Sequence, residues 1–451
     1  MGSLPDSKYI IKTDGYWFVE AHDVDPSKGY ISVSAKGIVN GLSNQPNDGC
    51  DFGPDTYNPN YSGSGVPYTQ TSGIQEALNY VNNNIGSSVP DNGEVNFVAG
   101  GYYVVDQTIT IPVNGNQIPP RIKGNNSHIS PSTSFNTSDT LIELSTKSSG
   151  STRRLYISNI HFSTGYGYGT ATNVLDISQN ELDTQGSILD NLYFTNETTP
   201  SGYVLKTDGN ENLMIQNCLI GGNVSLLAVG GTLFIENTYI GTGSTQSPLL
   251  GAQILSLHKV TFEGNSPTFT QGTNSMSAIT IVDCYSDGTS GTGYFLIEGG
   301  STTTDFYVTI QNYWANGNNS YFFANTNTTK VKVYASFHNV SGLPSAFSSG
   351  DTANLNLYVM TAKGITSRMT VNSTVTTTPS VPASGTAQSN TNPYPVNVYL
   401  YGGSVTVIDY TPSGGSATQV GTSGPATVRL NPGDSITLTY SGTPTWNWVA
   451  V

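Results

Sequence analysis

A chain of 451 residues with 16 basic against 30 acidic side chains, a net charge of −14, lacks the clustered Lys and Arg that phosphate neutralisation needs, so nucleic acid is excluded as the expected partner. Only 10% of residues are charged, where an ordinary globular chain has roughly a quarter, and solubility must come from amides and hydroxyls. A hydrophobic content of 36% and 10% aromatics exclude a disordered chain. The 50 glycines and 27 tyrosines point instead to an all-β protein with many turns. Cys50, Cys218 and Cys284 are too few for a disulfide framework and have no CxxC or Cys/His spacing for zinc. No apolar run reaches the length of about 18 residues that a membrane span requires, so no membrane insertion is expected. Asp6 stands where a myristoylation motif needs Ser or Thr. Without a basic and apolar leader, such a chain is expected either to be processed or to leave the cell within a particle such as a virion.

Residues 1–68 hold short β-like runs, Tyr16 to Glu20 and Tyr30 to Ser34, and a Gly/Pro/Asn/Asp-rich linker. Ser72-Gly73-Ile74-Gln75 then has the S-x-x-Q form of a capping box, and Ile74, Ala77, Leu78, Val81 and Ile85 recur at helical spacing. This predicts the one amphipathic helix. Strand-like alternation follows at Gly93 to Val98, Tyr102 to Val105 and Thr108 to Ile111.

From about residue 155 a short pattern recurs, apolar-x-[N/D]-x-x-apolar, in LYISNIHF, ILDNLYF, MIQNCLI, FIENTYI, SLHKVTF, TIVDCYS and TIQNYWA. Its third position falls at Asn159, Asn191, Asn217, Asn237, Lys259, Asp283 and Asn312, at spacings between 20 and 32 residues. Each repeat is too small to bury its own apolar face, so successive repeats must stack, and a fixed strand with variable turns predicts a right-handed parallel β-helix over 69–365. The polar third position is expected to point inward as a stack of amides. In that register Cys218 and Cys284 lie three rungs, about 14 Å, apart and are expected as free buried thiols.

The helix TSGIQEALNYVNNN, followed by GEVNFVAGGYYVVDQTITIP and PRIKGNN, resembles the opening of the pectate-lyase-like β-helix superfamily, in which such a helix and strand cap the first coil. The resemblance covers roughly 69–365 and implies the fold. It implies a polysaccharide as partner, since the superfamily includes lyases, hydrolases and viral tailspikes. The polygalacturonase aspartate cluster and the basic pectate lyase motif have no counterpart in this sequence.

Residues 366–389 are a Thr/Ser/Pro-rich linker, and 390–451 hold five short strands with turn signals, which predicts a small C-terminal β-sandwich. Trp446 and Trp448 share one side of the last strand, either as core or inter-subunit residues or as a sugar platform.

Alternation along a strand turns the repeat into a surface map. One outward column reads Ser158, Asp190, Gln216, Glu236, His258, Val282 and Gln311. Asp190 and Glu236 are then about 9.6 Å apart along the stack, close to the separation that leaves room for a water in an inverting glycosidase. They are the candidate catalytic acid and base, with His258 to tune or bind; the alternative for each is a solvated surface group. A second column reads His161, Tyr193, Leu219, Tyr239, Thr261, Tyr285 and Trp314. Its aromatics either stack on sugars or pack between subunits. Tyr166 and Tyr168, in the Gly-Tyr-Gly-Tyr-Gly turn, are candidates for a groove lip.

Three functions compete: a tailspike-like attachment protein on a virion surface that binds cell-surface polysaccharide, with cleavage left open, a secreted polysaccharide-degrading enzyme (hydrolase before lyase), and a non-catalytic structural or adhesive surface protein. No metal site and no cofactor is expected, with Ca2+ left open because a polyuronate lyase would need it. The exposed aromatic column and sparse charge suggest a homotrimer.

Overall fold

The computed structural model describes residues 10–13, 16–19, 30–33, 69–85, 93–113, 118–145, 154–165, 168–178, 186–196, 202–207, 212–241, 246–271, 276–290, 293–298, 304–317, 319, 321–325, 331–341, 346–348, 355–365, 378–392 and 395–450. It is all-β apart from one short helix, and falls into two compact units, Met1–Asn274 and Ser275–Val451.

The first unit opens on the helix Ile74–Tyr80, continued by a wider π turn over Val81–Ile85. Ile74, Ala77, Leu78 and Val81 are buried, as their spacing predicts. The capping box does not form: Gly73 is the N-cap, in a left-handed conformation, and the Ser72 hydroxyl donates to the Val104 carbonyl instead. Capping passes to two threonines, with Gly73 N–H donating to Thr69 Oγ1 and Gln75 N–H to Thr71 Oγ1. Both hydroxyls donate onward to Glu76, whose carboxyl burial pushes above its ordinary pKa. Gln75 makes a two-way amide pair with the backbone of Thr110 and so ties the helix to a strand.

Beyond the helix, strands pair in parallel in three stacks. In the first stack Tyr30–Val33 pairs with Glu94–Phe97, and the ladder runs on through Arg121, Tyr156, Ser187, Asn212 and Thr232 to the Ile254–His258 segment. A second stack runs from Tyr102–Val105 through His128, Ile160 and Leu192 to Leu219, Tyr239 and Thr261. The third runs from Ile109–Ile111 through Ile142, Leu175, Leu205, Val224 and Leu249 to Thr268. Ile157, Leu189, Ile215, Ile235 and Leu257 form one fully buried column, and Phe162, Phe194, Ile220, Ile240 and Phe262 another. Phe162 and Phe194 stack at 4.9 Å. Each such side chain contributes about 1.5–3 kcal/mol by leaving water.

The corner between the first and second stacks is made by a single residue in the left-handed region: Asn159, Asn191, Asn217, Asn237 and Lys259, all with φ between 45° and 56°. Asn tolerates that region better than other residues with a Cβ, which is why it recurs. The expectation that these side chains point inward is wrong. The turn directs Ile160, Leu192, Cys218, Thr238 and Val260, the next residues, into the core, while Asn191, Asn217, Asn237 and Lys259 are exposed. The amide ladder exists on the outside: Asn191 Nδ2 donates to Asn159 Oδ1 at 2.7 Å and Asn237 Nδ2 to Asn217 Oδ1 at 2.9 Å.

Where the inner turn residue is Cys218 or Thr238 rather than aliphatic, its side chain also satisfies a backbone group. Cys218 Sγ accepts from Leu192 N–H, and Thr238 Oγ1 accepts from Cys218 N–H. Cys218 and Cys284 are free, buried thiols, as expected, whereas Cys50 lies outside the described residues. Burial pushes the Cys218 pKa up to about 12, which keeps it protonated and inert.

In the second unit, Met276–Val282, Thr304–Gly317, Val331–Ser341 and Leu355–Ile365 form another parallel ladder, with a register shift between Ala335 and Ser336 in its last pairing. Its corner residues Asp283, Asn312 and Asn339 are again left-handed, and Asn312 and Asn339 donate along the row at 2.8 and 3.1 Å. From 387 onward the strands turn antiparallel. One sheet orders Ala387–Ser389, Ser435–Tyr440, Val405–Thr411 and Thr418–Gly421; the other sets Val396–Tyr401 between Ala426–Leu430 and Thr445–Ala450. Trp446 is buried and its indole N–H donates to Pro379 O, while Trp448 packs against it at 5.5 Å. Of the two expectations for this pair, the core reading holds for Trp446.

Lys259 is the one corner of the first unit's row that is neither Asn nor Asp. Lys259→Asn relieves left-handed strain and extends the amide ladder to Asn237 Oδ1, so we expect a stabilisation of ~1 kcal/mol, read as a higher Tm in thermal melts; an unchanged or lower Tm would contradict this account of the corner.

Candidate functional site

Two outward columns flank the amide ladder of the first unit. The first is in the expected register, Ser158–Asp190–Gln216–Glu236–His258, with Lys123 added before it. Ser158 is an exception to its outward assignment: it is fully buried and its hydroxyl has no hydrogen-bond partner. Asp190 and Glu236 stand two strands, about 9.6 Å, apart, with half-buried Gln216 between them. Both carboxylates have partners. Asp190 Oδ1 accepts from Asn217 Nδ2 at 2.9 Å, and Glu236 Oε1 pairs with His258 Nδ1 at 3.0 Å. His258 and Glu236 each keep about a third of their side chain exposed, 32% and 35%.

On the other side of the ladder, the second column brings His161, Tyr193, Leu219, Tyr239 and Thr261 into line, as expected. It extends further than the repeat indicates. Tyr102 and His128 stand in the same column, and the rings follow one another at 4.3 Å (Tyr102–His128), 4.6 Å (His128–His161, stacked) and 4.4 Å (His161–Tyr193). His128 occupies the position of His161, but its corner holds two left-handed residues, Asn125 and Asn126, so the repeat pattern is displaced and conceals it. An alignment of GNNSHI with SNIHF on the histidine would reveal it.

Tyr168 closes over this column, 5.8 Å from Tyr102 and 5.6 Å from His128. It is the expected lip residue; Tyr166 lies outside the described residues. Gly169 holds the turn against its neighbour: its N–H donates to Pro131 O, and a Cβ there would stand 1.8 Å from the Ser132 carbonyl oxygen. Burial, and then the facing His161, push the His128 pKa down to about 4, and burial lowers that of His161. The Tyr102 hydroxyl is pushed upward by burial. At neutral pH His128 is therefore uncharged, and burial favours the neutral form of His161. His161 Nε2 hydrogen-bonds Thr195 Oγ1 at 2.9 Å, and His128 Nε2 is buried without a partner.

Between the ladder and the column runs a groove of about 260 Å3. Asn191, Asn217, Asn237 and Lys259 line one side and Tyr193, Leu219, Tyr239 and Thr261 the other, over a floor of Leu192, Cys218 and Thr238. Asp190, Glu236 and His258 each precede a ladder residue, so the structure sets the candidate catalytic trio and the tyrosine wall on opposite sides of the amides.

In the second unit Tyr285 and Trp314 pack at 4.9 Å, with Trp314 57% exposed and Asn316 Nδ2 donating to the Tyr285 hydroxyl. A second aromatic pair that the repeat analysis missed, Tyr307 and Tyr334, stacks at 4.9 Å. Its signal is a tyrosine five residues before each of Asn312 and Asn339.

Among the described residues no three His, Cys, Asp or Glu side chains gather where a metal ion could be held. No helix among them is long and apolar enough to cross a membrane. No protein-family model matches the chain, and no curated protein matches it.

The depressed His128 pKa fixes a sign. A base that resists protonation in the folded state contributes stability that is present above its unfolded value of 6.5 and is lost as pH falls towards about 4. The Tm of the parent is therefore expected to fall more steeply between pH 6.5 and 4 than that of His128→Phe, which keeps a ring in the stack; parallel melting profiles would remove this role from His128.

Proposed function

We propose that this chain is a glycan-binding surface protein of the tailspike-like attachment kind, on a virion or otherwise extracellular, in which the three strand stacks coil as a right-handed parallel β-helix of the pectate-lyase-like type and the C-terminal antiparallel sheets close as a β-sandwich. The observation that carries the reading is the groove with amides on one wall and tyrosines on the other. A pyranose ring has an apolar C–H face and a hydroxyl rim; Tyr193 and Tyr239 suit the face, and the Asn217 and Asn237 amides suit the rim. Such sites discriminate through a few placed polar groups and gain area from rigid rings.

Tyr193→Ala and Tyr239→Ala are expected to weaken retention in gels containing host-surface polysaccharide by about two- to twelvefold each, from the ~0.5–1.5 kcal/mol of an aromatic contact. Retention unchanged in both would move binding out of this groove. A homotrimer fits the exposed Tyr307 and Trp314 on the second unit, and a monomeric mass in light scattering would remove it.

Cleavage is the second reading, favoured by the two carboxylates in one column. Asp190 and Glu236 would serve as acid and base of an inverting hydrolase with His258 beside them. The partners already held by both groups, and Gln216 between them, support binding more than hydrolysis. If incubation with polysaccharide releases reducing ends, Asp190→Asn and Glu236→Gln are each expected to lower turnover by orders of magnitude; activity kept in both would place the chemistry elsewhere.

A further inference from the structure

A second cavity, of about 410 Å3, lies on the C-terminal antiparallel sheet, and no part of the reading above uses it. Along the central strand Val396–Tyr401, Val396, Val398 and Leu400 are buried and Tyr399 and Tyr401 turn outward, 38% and 44% exposed. Register sets polar groups beside the rings: Tyr399 is opposite Thr427 on one neighbouring strand and Asn447 on the other, and Tyr401 is opposite Thr445. Pro425, Ala426 and Val449 complete the lining, which holds no charged side chain.

The amide is set in advance. Trp448 N–H donates to Thr378 Oγ1 at 3.1 Å, and the Thr378 hydroxyl donates to Asn447 Oδ1 at 2.9 Å. A chain anchored on a backbone N–H thus occupies the Asn447 oxygen and leaves its Nδ2 as donor at the cavity. The two rings, on alternate residues of one strand, are about 6.8 Å apart. They form a floor one to two sugar rings long. The volume falls within the range of small-ligand sites, roughly 300–1,000 Å3, whereas a stable protein partner needs about 800 Å2 on each side.

We propose that this cavity is a second saccharide site, taking one or two neutral pyranose units of a glycan, with Tyr399 and Tyr401 as the stacking floor and Asn447 Nδ2 and Thr427 as hydroxyl partners. The uncharged lining suits neutral sugars, with Arg429, two residues beyond Thr427 on the same exposed face, outside it. The site is independent of the amide-lined groove.

The test is calorimetric titration of the full chain with maltohexaose, cellohexaose and mannohexaose. Binding of at least one is expected, weakened at least tenfold by Tyr399→Ala and by Tyr401→Ala and largely kept by Tyr399→Phe. Val420→Ser, exposed on the other C-terminal sheet and outside both sites, is expected to leave it unchanged, and the groove of the first unit is read separately by its own gel-retention test. No binding by any of the three sugars, or binding indifferent to both alanine variants, overturns the proposal. So does a sedimentation mass that drops with Tyr399→Ala, since the face would then be an interface between copies of the chain.

Discussion

Each repeat has to carry its chain round a corner without a loop, because a loop at that place would break the ladder on both sides. A residue with φ near +50° does this at the cost of one unfavourable backbone conformation. The geometry then dictates what surrounds it: the residue after the corner points inward, the residues one before and two after it turn outward apart from buried Ser158, and the corner side chain is left at the surface. Asparagine meets the backbone demand and recovers part of the cost through amide hydrogen bonds to the next repeat. The core columns, the two outward columns and the groove between them all follow from that one conformation. Gly169 plays a related part at the lip, where contact with the Ser132 carbonyl leaves no room for a side chain and so fixes the approach of Tyr168.

Chemistry on this scaffold is divided by the same corner. On one side the groups are polar and hydrogen-bonded to one another, as with Glu236 and His258. On the other they are aromatic and held uncharged by burial, as with His128 and His161. Amides stand between. A ligand laid along the ladder would meet rings and amides first, and would reach the carboxylates only past the amide row.

Much of this was legible in the sequence because the repeat carries its own register. The apolar positions 157, 189, 215, 235 and 257 and the columns beside them follow from strand alternation alone. The direction of the asparagines was not legible, since composition and spacing are identical for an inward and an outward amide and only the sign of φ separates them. The capping box failed for a similar reason: Ser72 has a competing tertiary acceptor, the Val104 carbonyl, that no local pattern reveals. His128 escaped because a second left-handed residue displaced the motif by one position. In the C-terminal strands, tryptophan drew the eye by type, while the exposed rings are the tyrosines of the neighbouring strand.

Within the first unit, each strand inside a stack bonds to the repeat before and the repeat after it, and these partners are near in sequence. Hydrogen bonds in such a ladder run along the stacking direction. A chain end pulled along that direction would load them one repeat at a time, so this unit would yield by peeling, in steps of a few tens of residues and at low force. Traction along the strands would instead load a whole row of bonds in shear. A tether that joins this unit to a surface would therefore be strongest when it runs across the stack, parallel to the strands.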